Sequence, residues 1–316
     1  MMKNVFKSLS QTGALMLFPV LFTGMAFVTA CSPLTDQPSG VGKLEVVATT
    51  TIVGDVVSQV GGDLIGLSIL LPVGSDPHSF DPTPQDIARV AEADLIFANG
   101  AGLEEFLDHL IESAGAEDKV VQVSEGIDFL ISEEEGRSHA DPHTWTDPNN
   151  VMIWVHNIER ALHEENPENG DVYEANAGKY LAELEELDAW IREQASQIPE
   201  EKRKLVTDHS LFGYFADEYG FDQVGALIAG YSTLAEPTAQ ELAELEDSIA
   251  ALEISAVFVG NTVNPTLAER LAEDTGVLLI YVYTGSLSET GGDADTYLAY
   301  MRYNTTTFIN ALTPTP

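Results

Sequence analysis

The chain has 316 residues, and 51 acidic against 14 basic side chains leave a formal charge of −37. Nucleic acid and anionic lipid headgroups repel such a polyanion, so neither is an expected partner. A single cysteine excludes a disulfide framework.

The first 30 residues read as a targeting segment. Lys3 and Lys7 give a positive start, and residues 13–28 form an apolar run that falls short of the ~20 residues a membrane span needs. Val28-Thr29-Ala30-Cys31 resembles a bacterial lipobox, whose cysteine becomes the lipidated first residue of the mature protein. On that reading residues 1–30 are a signal peptide and 286 residues remain (316 less 30), with 12 basic against 51 acidic side chains and a charge of −39. The mature chain is then extracytoplasmic, anchored through Cys31 in a periplasm or on the outer face of the cytoplasmic membrane. Residues 31–43 are polar and rich in Ser, Pro and Gly, which predicts a flexible tether.

From residue 44 the pattern is α/β. Strands are predicted at 44–49, 64–71, 94–98 and 120–123, and helices at 52–60, 84–91 and 103–113. This alternation predicts a parallel sheet covered on both faces. Residues 149–165 read as a helix with Asp147 at the N-cap and Pro148 in the first turn. Residues 172–197 form a longer helix, in which Tyr173, Ala177, Tyr180, Leu184, Leu187 and Ile191 recur at helical spacing. Its length of about 39 Å would let it lie along both halves of the molecule. Alternation then resumes, with strands at 205–207, 256–259 and 278–282 and helices at 211–219, 239–252, 265–275 and 294–312. The expected fold is α/β: an N-terminal lobe at 44–168, a joining helix at 169–198 and a C-terminal lobe at 199–316. A ligand between such lobes sits at the carboxyl ends of the strands.

Seven histidines are the candidate chemistry. His109, His156 and His163 fall within helical patterns among polar neighbours and read as solvated. His139 lies in an acidic stretch and reads as a mobile loop residue. His78, His143 and His209 fall in loops next to strands or helices, and Asp-Pro precedes the first two. A preceding proline restricts the backbone and fixes the direction of the ring. Neutral imidazole is the commonest metal ligand, and ligands drawn from several loops favour a small cavity.

Residues 74–86, containing Asp76-Pro77-His78-Ser79-Phe80, resemble the first metal-ligand segment of the periplasmic zinc/manganese-binding lipoproteins of ABC importers. Asp141-Pro142-His143-Thr144-Trp145 resembles their second, and the run from Thr207 through Asp208, His209, Ser210 and Leu211 to Phe215 resembles their third. Ala235-Glu236-Pro237-Thr238 and residues 297–304 are similar too, so the resemblance covers about 46–312. It implies two (β/α) lobes joined by one long helix. It also implies one metal held between the lobes by His78, His143 and His209 and handed to a membrane permease. Permease and ATPase are expected as separate chains, and this chain as a monomer.

Imidazoles favour zinc and oxygen donors favour manganese, so three histidines point to Zn2+ over Mn2+. Many members of the family place an aspartate in the loop after the last strand, where this chain has Thr284-Gly285-Ser286. Gly285 offers no side-chain donor, which leaves water or a carboxylate such as Glu236, Glu289 or Asp76 as the expected fourth ligand. A three-histidine zinc is also a catalytic layout, but there is no H-E-x-x-H run or nucleophile elbow, so no enzyme is expected. A cell-surface adhesin or metal sensor of the same family is the other alternative.

Overall fold

The computed structural model describes residues 43–134 and 137–313. The expected signal peptide, Cys31 and all of the tether before Lys43 lie outside the described residues. Among the described residues no helix is long and apolar enough to cross a membrane.

The N-terminal half is built on β1 (Leu44–Ala48), β2 (Ile65–Ile69), β3 (Leu95–Ala98) and β4 (Val120–Gln122), all parallel, in the order β2-β1-β3-β4. Its helices are α1 (Thr51–Gly61), α2 (Pro84–Glu92) and α3 (Leu107–Ala114). A short antiparallel hairpin of β5 (Ile131–Glu134) and β6 (Arg137–Ala140) leads to α4 (Pro148–Glu165). Asp147 caps α4 by accepting the Asn149 N–H at 2.9 Å, with Pro148 in the first turn as expected. After α5 (Gly170–Ala195) come β7 (Lys204–His209), α6 (Gly213–Tyr219), β8 (Asp222–Ile228), α7 (Ala239–Ala251), β9 (Ala256–Gly260), α8 (Thr266–Thr275), β10 (Leu278–Val282) and α9 (Tyr297–Leu312). The four strands of this half are parallel, in the order β10-β9-β7-β8.

The long helix is the expected one, with 26 residues. Tyr173, Ala177, Tyr180, Leu184, Leu187, Ile191 and Ala195 line its buried face, at steps of three and four that keep one stripe inward. Each fully buried Leu or Ile there contributes about 1.5–3 kcal/mol. The stripe belongs to a single apolar cluster that runs from Val46 and Phe97 through Trp154 and Leu184 to Phe258 and Phe308, so both halves share one core. Two smaller cores cover the opposite faces of the sheets.

Four local expectations are corrected. The strand β8 was not predicted: of its seven residues only Leu227 is buried, so there is little alternation to read. Gly225 within it admits α7, because a Cβ there would lie 2.7 Å from Leu245 Cδ1. The acidic stretch around His139 is the β5–β6 hairpin, with His139 exposed on β6 and paired in register with Ser132. The helix α3 starts four residues later than predicted, because the buried Glu104 turns inward. Its carboxyl accepts the N–H groups of Asn99 and Gly100 and the Thr49 hydroxyl, at 2.7–3.1 Å. Finally, His209 is the last residue of β7 and not a loop residue. Its position there fixes the backbone behind its ring.

Candidate metal centre

Both Asp-Pro-His stretches fold in the same way. The aspartate reaches across the proline, which has no N–H, and accepts the histidine backbone N–H: Asp76 from His78 at 3.0 Å, Asp141 from His143 at 2.9 Å. The loop between β2 and α2 thereby carries His78, and the turn before α4 carries His143. From the other half, the end of β7 delivers His209.

The three rings converge. His143 Nε2 stands 3.2 Å from His78 Nε2 and 3.3 Å from His209 Nε2, and ring centroids are 5.0–5.6 Å apart. His143 and His209 are buried and His78 is partly so. Among the described residues this is the one group of three or more His, Cys, Asp or Glu side chains close enough to hold a metal ion. His109, His156 and His163 are exposed on helices, as expected.

Two carboxylates orient the rings. Asp141 Oδ1 lies 2.7 Å from His143 Nδ1, and Asp208 Oδ1 lies 2.5 Å from His209 Nδ1. Asp208 is itself held by the Gly260 N–H. A carboxylate on Nδ1 places the proton there and leaves the Nε2 lone pair free for a cation. Sequence reasoning had assigned neither aspartate this role. The signal was available in the aspartate one or two residues before each histidine.

Among the described residues no carboxylate joins the ring atoms. Glu236 and Glu289 are exposed, and Asp76 is occupied by the His78 N–H, the Ser79 hydroxyl and the Thr233 hydroxyl across the cleft. The space between the rings is bounded by Asp76, Pro77, Trp145, Leu211, Thr262 and Gly285 and encloses no water-sized cavity.

Burial, then the neighbouring His143 and His209, push His78 down to about 3, and burial followed by His209 holds His143 well below 6.5. Burial pushes the Asp141 carboxyl up to about 7, against the His143 N–H that it accepts. The neutral imidazole is the metal-binding form, and it persists at every pH above the folded pKa. An ordinary histidine is about 90% protonated at pH 5.5. These two rings are not, so they release no protons to an incoming cation; Asp141 releases one between about 4 and 7. Titration of the protein with metal at pH 7.5 and 5.5 should therefore show a loss of affinity equivalent to about one proton from this trio. A loss equivalent to three protons would contradict the depressed histidines.

The halves are tied beside the site. Trp145 Nε1 donates to Thr284 O and to the Tyr300 hydroxyl, both at 3.2 Å, and Tyr297 donates to Trp145 O at 2.8 Å. Leu287 N–H donates to Thr51 Oγ1, and Gly74 N–H to Ser286 Oγ, each at 2.9 Å.

Residues 46–311 match the family model described as ZnuA, zinc-uptake complex component A, periplasmic. The chain is 38% identical over 270 residues to the manganese-binding lipoprotein MntA of Halalkalibacterium halodurans, covering 85% of this chain and 88% of that one. It is 33% identical over 293 residues to the manganese ABC transporter substrate-binding lipoprotein PsaA of Streptococcus anginosus, covering 90% and 94%. Among solved structures, the periplasmic zinc-binding protein TroA from Treponema pallidum superposes with a TM-score of 0.81 at 29% identity, covering 86% of this chain and all of that one.

Proposed function

Because the chain belongs to the periplasmic zinc-uptake complex component A family, we propose that it captures one divalent metal ion outside the cytoplasmic membrane and delivers it to an ABC importer. The convergence of the three imidazoles of His78, His143 and His209 carries this reading. In it, residues 44–168 and 199–316 are the two gripping lobes and residues 169–198 the helix that joins them. Cys31 is the lipid anchor, the permease and ATPase are separate chains, and the protein acts as a monomer. It performs no chemistry on its cargo: the metal is bound, held and released.

Zinc is the cargo we favour. With zinc–nitrogen bonds of about 2.0–2.1 Å, a tetrahedral site separates its nitrogens by about 3.3 Å, and the two Nε2 separations at His143 are 3.2 and 3.3 Å. Manganese prefers oxygen donors and six-fold coordination and stands lowest in affinity among these ions. It is the second reading, favoured by the manganese-binding relatives. The shared core and the long helix resist wholesale hinge opening, so release falls to the loop bearing His78, the least buried of the three rings, which has to break the Gly74–Ser286 and Asp76–Thr233 hydrogen bonds to move.

Calorimetric titration of the apoprotein with zinc and with manganese tests the reading. One equivalent of each should bind, zinc more tightly. Tighter manganese binding would overturn the zinc assignment alone; binding of neither would overturn metal capture.

A further inference from the structure

Gly285 follows β10 in the loop that faces the three rings. Its backbone is not in the left-handed region, so conformation does not demand glycine there. Space does. A Cβ at this position would lie 2.7 Å from Pro77 Cδ and 3.1 Å from Pro77 Cγ, with Thr262 Oγ1 at 3.5 Å. The first separation is closer than carbon atoms pack, and a pyrrolidine ring has no rotamer by which to move aside. Pro77 is buried, and the chain just before it is tied to the other half twice, by Gly74 N–H to Ser286 Oγ and by Thr233 Oγ1 to Asp76 Oδ2. A side chain at 285 therefore presses on the Pro77 ring, and His78 is the next residue.

We propose that Gly285 is a specificity-determining position that acts through Pro77. The bare glycine backbone lets the proline ring of one half seat directly against the other. That seating sets how closely His78 approaches His143 and His209. The result is a compact three-nitrogen site with little room beside it, suited to a small cation of low coordination number and unsuited to one that needs several further oxygen donors. The inference rests on the metal-capture reading and adds to it the residue that sets ion size and coordination number. Gly285 is a positioning residue and touches no metal.

Three variants test it: Gly285→Ala, Pro77→Ala and the two combined. Each is titrated with zinc and with manganese, and cobalt(II) serves as an optical probe, since four-coordinate cobalt absorbs far more strongly than six-coordinate. Gly285→Ala should weaken zinc binding by about 10- to 100-fold, the range for loss of a group that positions a ligand. It should also lower the zinc-to-manganese affinity ratio and weaken the cobalt bands. In the Pro77→Ala background, where Cγ and Cδ are gone, the same glycine-to-alanine change should cost nothing. Unchanged zinc affinity and ratio in Gly285→Ala would overturn the proposal, as would a loss that persists undiminished in the Pro77→Ala background. Failure of the wild type to bind either metal would instead overturn metal capture itself.

Discussion

His143→Ala should abolish high-affinity metal binding, with a larger effect than any other single substitution in the site. His143 is the central ring, with its Nε2 within 3.3 Å of both other Nε2 atoms. Removing it leaves two nitrogens on opposite halves with nothing between them. The loss should go well beyond the roughly 10- to 100-fold expected when only a ligand's carboxylate partner is removed, as in Asp141→Asn. A thermal melt reads the difference directly. At a free zinc concentration about 1,000 times Kd the wild type gains about 4 kcal/mol of stability, and the variant should gain none.

The same substitution should lower stability without metal. Asp141 is fully buried, Oδ2 has no partner among the described residues, and Oδ1 is shared between the ring and backbone N–H of His143. Deleting the ring removes one of the two donors, at a cost of about 1–3 kcal/mol for a buried polar group left short of a partner. His78→Ala separates the two effects, because His78 is more exposed and no carboxylate contacts its ring nitrogens among the described residues. It should weaken metal binding with little change in the metal-free melt. Zinc binding to His143→Ala at wild-type affinity would remove the site from consideration.

The contrast between what the sequence disclosed and what it hid follows from the range of the interactions. The long helix was legible because its stripe from Tyr173 to Ile191 is a local periodicity, and the start of α4 because Asp147-Pro148 is a local cap. The three histidines that converge could be picked out because each sits in a distinctive short segment. β8 was not, since an edge strand with one buried residue carries almost no pattern. The delayed start of α3 depends on Glu104 meeting Thr49, 55 residues away, and no propensity argument reaches that far. Gly285 was noticed only as a missing donor. Its role as the seat for Pro77 requires the two halves to be brought together, which local sequence does not describe.

Trp145→Ala should give the largest loss of stability near the site, about 3–5 kcal/mol, because it removes packing and cross-linking together. The indole is 2% exposed, lies 5.2 Å from the His143 ring centroid, and donates from one half of the molecule to Thr284 O and the Tyr300 hydroxyl in the other. Trp145→Phe dissects these contributions. It keeps much of the ring volume, and Thr284 O retains the Tyr300 hydroxyl at 3.0 Å, so no carbonyl is orphaned. The expected cost falls towards the ~1 kcal/mol of a single hydrogen bond plus a partial cavity. Urea denaturation of both variants checks the ordering, and a Trp145→Ala protein as stable as Trp145→Phe would refute the packing argument. Fluorescence adds an independent reading, because Trp154 is buried in the shared core and Trp190 stacks under Arg302, whereas Trp145 packs edge-on against His143. Metal titration should change the emission of the wild type and leave that of Trp145→Phe nearly constant while binding persists. A full emission change in the variant would mean that the metal sits somewhere other than beside His143.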